Sequence, residues 1–190
     1  SKPESFECYD DKALRLTLRF LGDFLRILKL SNVFSLAWRF LPEFMMFLFG
    51  GLPKLVLLAE FTSDSFLGAR KKAKVAGQDL AGIPVSWRVT KSQEEEEKYL
   101  AIRRASFQLL HEHPEGKTAA AFIDDIIVQP KDLPRFLPRL QNILEPYEDD
   151  IIYTLAGHVG DGNFHIIPLI DLKNPEARMI IIELMEKVHH

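Results

Sequence analysis

The segment that most constrains this chain is His158-Val159-Gly160-Asp161-Gly162-Asn163-Phe164-His165, an octapeptide with an Asp-Gly pair between two apolar runs. Ile151 to Leu155 precede it and Ile166 to Ile170 follow. Asp-Gly favours a tight hairpin, because a type I′ turn needs positive φ at both central residues. With the turn at 161 and 162, residue 158 faces 165 across the hairpin. The two imidazoles then share one face, with Cβ atoms about 4.5–5.5 Å apart. Nitrogen donors so placed can reach a common cation, since zinc takes imidazole at about 2.0–2.1 Å. Two histidines alone fall short of the three or four protein ligands usual for zinc, so either a third ligand lies elsewhere or the site is incomplete. The alternative is a pair of exposed histidines with no chemical duty.

The remaining pattern alternates strands and helices. Ser5 to Tyr9 and Lys54 to Phe61 read as strands, the second of buried type. Asp10 or Asp11 caps a helix from Ala13 to about Lys29, and an aromatic-rich helix runs from about Val33 to Phe49 until Gly50-Gly51 ends it. A helix from about Ser65 to Leu80 leads to a strand over Ile83 to Val89. Ser92-Gln93-Glu94-Glu95 resembles a capping box opening a charged helix to His111. Ala119 to Val128 is a strand, Asp132 caps a helix over Leu133 to Tyr147, and Pro175 opens the last helix. The fold class expected is α+β, a mixed or antiparallel sheet with helices on one face and an extra helical pair near the N-terminus.

The 190 residues, 47% hydrophobic, suffice for one substantial core. A net charge of −3 argues against nucleic-acid binding. The single cysteine, Cys8, excludes an internal disulfide and suits a reducing, cytoplasmic setting. No apolar leader is visible at Ser1-Lys2-Pro3-Glu4, and no glycine-rich loop able to cradle the phosphates of FAD occurs.

The octapeptide, with Ile123 to Val128 and Tyr99-Leu100-Ala101-Ile102-Arg103 upstream, resembles the C-terminal cap domain of FAD-linked oxidases. These are vanillyl-alcohol-oxidase-type flavoproteins that include D-lactate, glycolate and D-2-hydroxyglutarate dehydrogenases. The resemblance covers roughly residues 4 to 188, and so the whole chain reads as one partial cap, with a helical insertion at about 13–50. It implies a ferredoxin-like fold, with FAD held mainly in a separate preceding domain. It also implies a divalent metal (zinc, iron or manganese) on His158 and His165, and Arg103 on the carboxylate of a 2-hydroxy-acid substrate. A flavin-side place falls to Asn163, and Asp125 corresponds to the family's strand acid in a hydrogen-bonding role.

The match has departures. The family's third metal ligand and its presumed base lie in a Glu-His-Gly segment beyond the final helix, which is not reached before His190. Ile167 and Ile123 stand where some members carry a substrate-contacting Asn and Lys. The isolated chain is therefore expected to be inactive, with no catalytic base of its own. Two other readings stay open. One is a non-catalytic module whose apolar stretch over 13–58 meets a partner, a second copy or a membrane surface, in keeping with relatives that pass electrons to a respiratory acceptor. The other is a flavoprotein domain like that of ether-lipid synthases. His111 and His113 are helix-end cations, and His189 and His190 receive no role.

Overall fold

The computed structural model describes residues 2–27, 41, 45, 51–112, 116–120, 122–123 and 125–189. Of the aromatic-rich helix expected over Val33 to Phe49 only Leu41 and Met45 are described, both helical, and His113 and His190 lie outside the described residues. Strand β1 (Ser5–Asp10) runs into helix α1 (Asp11–Arg19). Of the two candidate caps, Asp10 is the one used: its side chain accepts from Ala13 N–H at 3.0 Å and from Leu155 N–H at 3.1 Å. One carboxylate thus joins strand, helix and the central hairpin. Burial pushes its pKa up to about 6, against the pull of those two backbone donors. The expected helix to Lys29 breaks at Phe20, whose N–H closes α1 on Leu16, and α2 (Leu21–Ile27) follows.

The main sheet also contains β2 (Leu55–Glu60), β4 (Asp125–Ile127), β6 (Leu155–His158) and β7 (Asn163–Ile166), in the order β2-β1-β6-β7-β4. β3 (Thr118–Ala119), β5 (Ile151–Ile152) and β8 (Leu169–Ile170) form a smaller sheet in the order β3-β8-β5. All of these pairings are antiparallel. The chain is α+β with antiparallel sheets, and no parallel pairing occurs among the described residues. The apolar runs around the octapeptide are each cut in two, giving β5 and β6 before the turn and β7 and β8 after it. Pro168 lies in the second gap, where it has no N–H to offer a ladder. The expected strand from Ala119 to Val128 splits in the same way, β3 joining one sheet and β4 the other.

The other helices are α3 (Phe66–Gln78), α4 (Gln93–Glu112), α5 (Leu133–Leu144) and α6 (Ala177–His189). α4 opens on half of the expected capping box: Glu95 N–H donates to Ser92 Oγ at 3.3 Å, but the Glu95 carboxylate accepts from Lys91 N–H at 2.7 Å, one residue before the cap. Helices cover both faces of the main sheet, not one. On one face Cys8, Leu155, Phe164 and Ile166 pack with Leu140 and Leu144 of α5 and Ile180 and Leu184 of α6. On the other, Tyr9 and Ala156 pack with Ala13, Leu14 and Phe24 and with Ile102, Ala105 and Leu109 of α4. The reason is that β1 and β6 carry apolar residues on both sides (Cys8 and Tyr9, Leu155 and Ala156), whereas β7 does so on one side only (Phe164 and Ile166), and each apolar side needs a cover.

Two strand expectations are corrected. Leu55–Glu60 is an edge strand whose residues are half-buried or exposed, because only β1 flanks it. Residues 83–89 form no strand. Ile83, Val85 and Trp87 are largely exposed, and the Trp87 ring lies over Gly77 of α3, where an added Cβ would come within 2.4 Å of it. Their alternation mimics a strand without any partner to bond.

Candidate metal and substrate site

The turn between the two histidines is longer than a type I′ turn. Val159–Asp161 form a single 3₁₀ turn, and Gly162 follows with φ 71° and ψ 15°. Gly162 N–H returns to Val159 C=O at 3.2 Å, and Val128 N–H donates to Gly162 C=O at 2.9 Å. The second bond ties the loop to β4. A Cβ at residue 162 would fall 1.7 Å from the Val128 oxygen, and so the close approach and the positive φ both require glycine here.

This loop sets a register different from the expected one. His158 faces Asn163, and His165 faces Ala156. The histidines are diagonal neighbours instead of direct ones, but the period of two keeps them on the same side of the ribbon. Their ring centroids are 5.7 Å apart with the planes perpendicular. Both sit on the α4 face of the sheet, just beyond Ala156, where apolar packing gives way to polar side chains.

Arg103 of α4 comes to the same place. Its Nη2 lies 3.2 Å from His158 Nε2, and its Nε lies 3.0 Å from Glu7 Oε2. Glu7 Oε1 in turn is 3.5 Å from His158 Nδ1. Arg103 and Glu7 are each only 16% exposed at the side chain, whereas His158 is 43% exposed and opens to solvent. On the far side Asp125, paired with His165 in the β4–β7 ladder, puts Oδ1 against His165 Nδ1. Phe107 of α4 meets the His165 ring edge-on at 6.3 Å. The Asn163 Oδ1 atom is buried without a hydrogen-bond partner among the described residues.

The donor set suits a divalent cation in kind, since each imidazole turns Nδ1 toward a carboxylate and keeps Nε2 as its remaining nitrogen. It is incomplete in number. Among the described residues no group of three or more His, Cys, Asp or Glu side chains could hold a metal. A guanidinium can only donate, so the Arg103 contact marks His158 Nε2 as a lone-pair acceptor.

A family model described as "FAD linked oxidases, C-terminal domain" matches residues 1–190. The chain belongs to this family. Among curated proteins it is similar to D-2-hydroxyglutarate dehydrogenase of Escherichia coli (strain K12), 23% identical over 108 residues. That match takes in 57% of this chain and 10% of the relative, so the chain spans about a tenth of the relative's length. Family membership makes this an oxidoreductase domain of flavoproteins, tied to FAD.

Within this FAD-linked oxidase domain, four residues singled out from sequence (Arg103, His158, Asn163 and His165) are brought together, with Asp125 at the rim. Ile123 is fully buried in the core, which suits an apolar residue where some members carry lysine. His111, in the last turn of α4, and His189, in the last turn of α6, stand apart from the site. Glu7 was missed. The available signal was the alternation in Phe6-Glu7-Cys8-Tyr9, which sets Glu7 on the Tyr9 side, but nothing local brings β1 beside β6. Cys8 lies on the opposite face with its thiol pushed up to about 12, chiefly by burial. It is an inert core residue. No described helix is long and apolar enough to cross a membrane.

Proposed function

We propose that this chain is the substrate-side cap of a flavin-dependent dehydrogenase that oxidises a 2-hydroxy acid, with His158 and His165 as two ligands of a divalent metal. One observation carries the reading. Two imidazoles 5.7 Å apart share a half-open surface with an arginine that is itself paired with a half-buried carboxylate. That combination suits an anionic, oxygen-rich substrate. Arg103 offers a planar fork of donors for a carboxylate. The imidazoles provide nitrogen ligands of the kind that zinc, iron or manganese accept. A bound metal would supply Lewis-acid polarisation of the substrate's oxygens. Asn163 offers a buried, unpaired acceptor beside His158, suited to an N–H of the flavin or of another ligand.

FAD itself would be held by a separate domain, because this chain has no phosphate-cradling loop, and the third metal ligand and the proton acceptor would also come from outside it. The resemblance to a D-2-hydroxyglutarate dehydrogenase supports this substrate class. The test is turnover of D-2-hydroxy acids by the intact protein that carries this cap, followed with an artificial electron acceptor. His158→Ala and His165→Ala should each lower kcat/KM by at least about a hundredfold, on the scale seen when even outer-shell partners of a metal are lost. Absence of turnover with every D-2-hydroxy acid would refute the proposal.

A second reading, an interaction module, draws on the exposed apolar side chains Phe66, Leu67 and Trp87. Liposome or partner binding lost on making these residues polar, with hydroxy-acid turnover absent, would favour it.

A further inference from the structure

Each histidine faces a carboxylate from its own side of the hairpin, hydrogen-bonded at His165 and at an ion-pair distance of 3.5 Å at His158. Strand β4 offers Asp125 to the Nδ1 of His165, and strand β1 offers Glu7 to the Nδ1 of His158. The first pair lies in the β4–β7 ladder, Asp125 opposite His165. The second extends the β1–β6 ladder by one step, since Cys8 faces Gly157 and Glu7 follows beside His158. Glu7 does more than its counterpart, because its other oxygen also forms an ion pair with Arg103 Nε at 3.0 Å, a charge contact in which Nε makes no hydrogen bond among the described residues.

We propose that Glu7 is a positioning residue that fixes both the proton on His158 and the direction of Arg103. Arg103 carries only donors, so the His158 Nε2 that it meets at 3.2 Å holds a lone pair. The ring proton of the neutral imidazole must then sit on Nδ1, the atom that faces Glu7. A carboxylate at that distance favours the Nδ1–H form, the arrangement in which a histidine presents Nε2 for ligation. The same carboxylate holds the guanidinium by charge beside Nε, and Nη2 meets His158. Arg103 Nη2 therefore takes up the very lone pair that a metal would use. Were a cation to take His158 Nε2, Glu7 would keep its ion pair with Arg103, and the displaced Nη2 would be available to donate to a substrate carboxylate.

This inference rests on the metal-bearing reading above, and its test separates the two. The ring proton of His158 is located by nitrogen-15 NMR of the imidazoles in the 190-residue chain, above the ordinary titration range of histidine. The wild type should show the proton on Nδ1. In Glu7→Leu it should move to Nε2, while His165, supported by Asp125, stays unchanged. Glu7→Gln keeps the volume and one acceptor, so its shift should be smaller; it also serves if the leucine variant does not fold. Titration with Zn²⁺ should show Glu7→Leu binding about 10–100-fold more weakly than wild type, with Glu7→Gln between them. A His158 proton that stays in place in both variants overturns the proposal, whatever the metal does. Unchanged zinc affinity with a moved proton also overturns it, because Glu7 would then not prepare a ligand. If the wild type binds no zinc but the proton moves as expected, the two histidines do not hold the cation without a ligand from outside this chain, and the control of His158 by Glu7 stands.

Discussion

The two faces of the central sheet are built from the same strands and do opposite things. On the α5–α6 face, Cys8, Phe164 and Ile166 are fully buried, and the apolar contact runs unbroken to Leu144 and Leu184. On the α4 face the core begins in the same way, with Tyr9 and Ala156 against Ile102 and Leu109, and then stops. From there Glu7, His158, Asn163 and His165 replace it, and α4 contributes Arg103 where it had been contributing aliphatic residues. A strand whose neighbours alternate between faces can therefore hold a rigid core and present a polar site within one residue of each other. The core face fixes the strand positions, and the site face uses them.

Neighbouring residues of β7 break this comparison most sharply. Phe164→Ala should cost about 3–5 kcal/mol, the range for emptying a buried aromatic site, and should lower the denaturation midpoint accordingly. His165→Ala, one residue on and facing the other way, should change stability by less than about 1 kcal/mol, in line with substitutions outside the core. Chemical denaturation of both variants is the check. Comparable losses would mean that the polar face is part of the folding core.

Asp10, at the seam between β1 and α1, sharpens the contrast by pH. Its folded pKa is raised to about 6 from 3.8, so the folded state binds this proton more tightly than the unfolded chain does. The contribution of this group to stability is then least above pH 6 and grows as the pH falls through 6 toward 4. At 1.36 kcal/mol per pKa unit it amounts to about 3 kcal/mol. Asp10→Asn removes the titration, and the wild type should gain stability relative to it across that window. Parallel stability profiles for the two proteins would contradict this account.

Gly162→Ala is the smallest of the three, about 1–3 kcal/mol, because the loop can trade strain for displacement. The added Cβ must push away the Val128 carbonyl. The Val128 N–H bond to Gly162 C=O should weaken, and amide exchange at Val128 should accelerate. Unaltered exchange there would show that the turn does not depend on this contact.

The residues that made the site legible were those with strong local preferences. Asp-Gly between apolar runs marked a hairpin, and because the register differs from the expected one by two residues, an even step, both histidines stayed on one face. Ser92 and Glu95 announced the start of α4, and with it the segment that carries Arg103. What remained hidden was decided at a distance. The register shift came from a 3₁₀ turn pinned to Val128 on another strand. The split at Pro168 and the transfer of 118–119 to a second sheet came from which neighbour each short strand found. Ile83, Val85 and Trp87 alternated like a strand and had none to pair with.

By itself the sequence determined the hairpin, the shared face of the imidazoles, the helix starts and the α+β class, because turn chemistry, capping and periodicity act over a few residues. Only the tertiary structure brought Glu7 beside His158 and Arg103 against both. That meeting joins positions 7, 103 and 158, and no local preference spans such separations. Antiparallel pairing of β1 with β6 and the docking of α4 on the sheet were needed to create it.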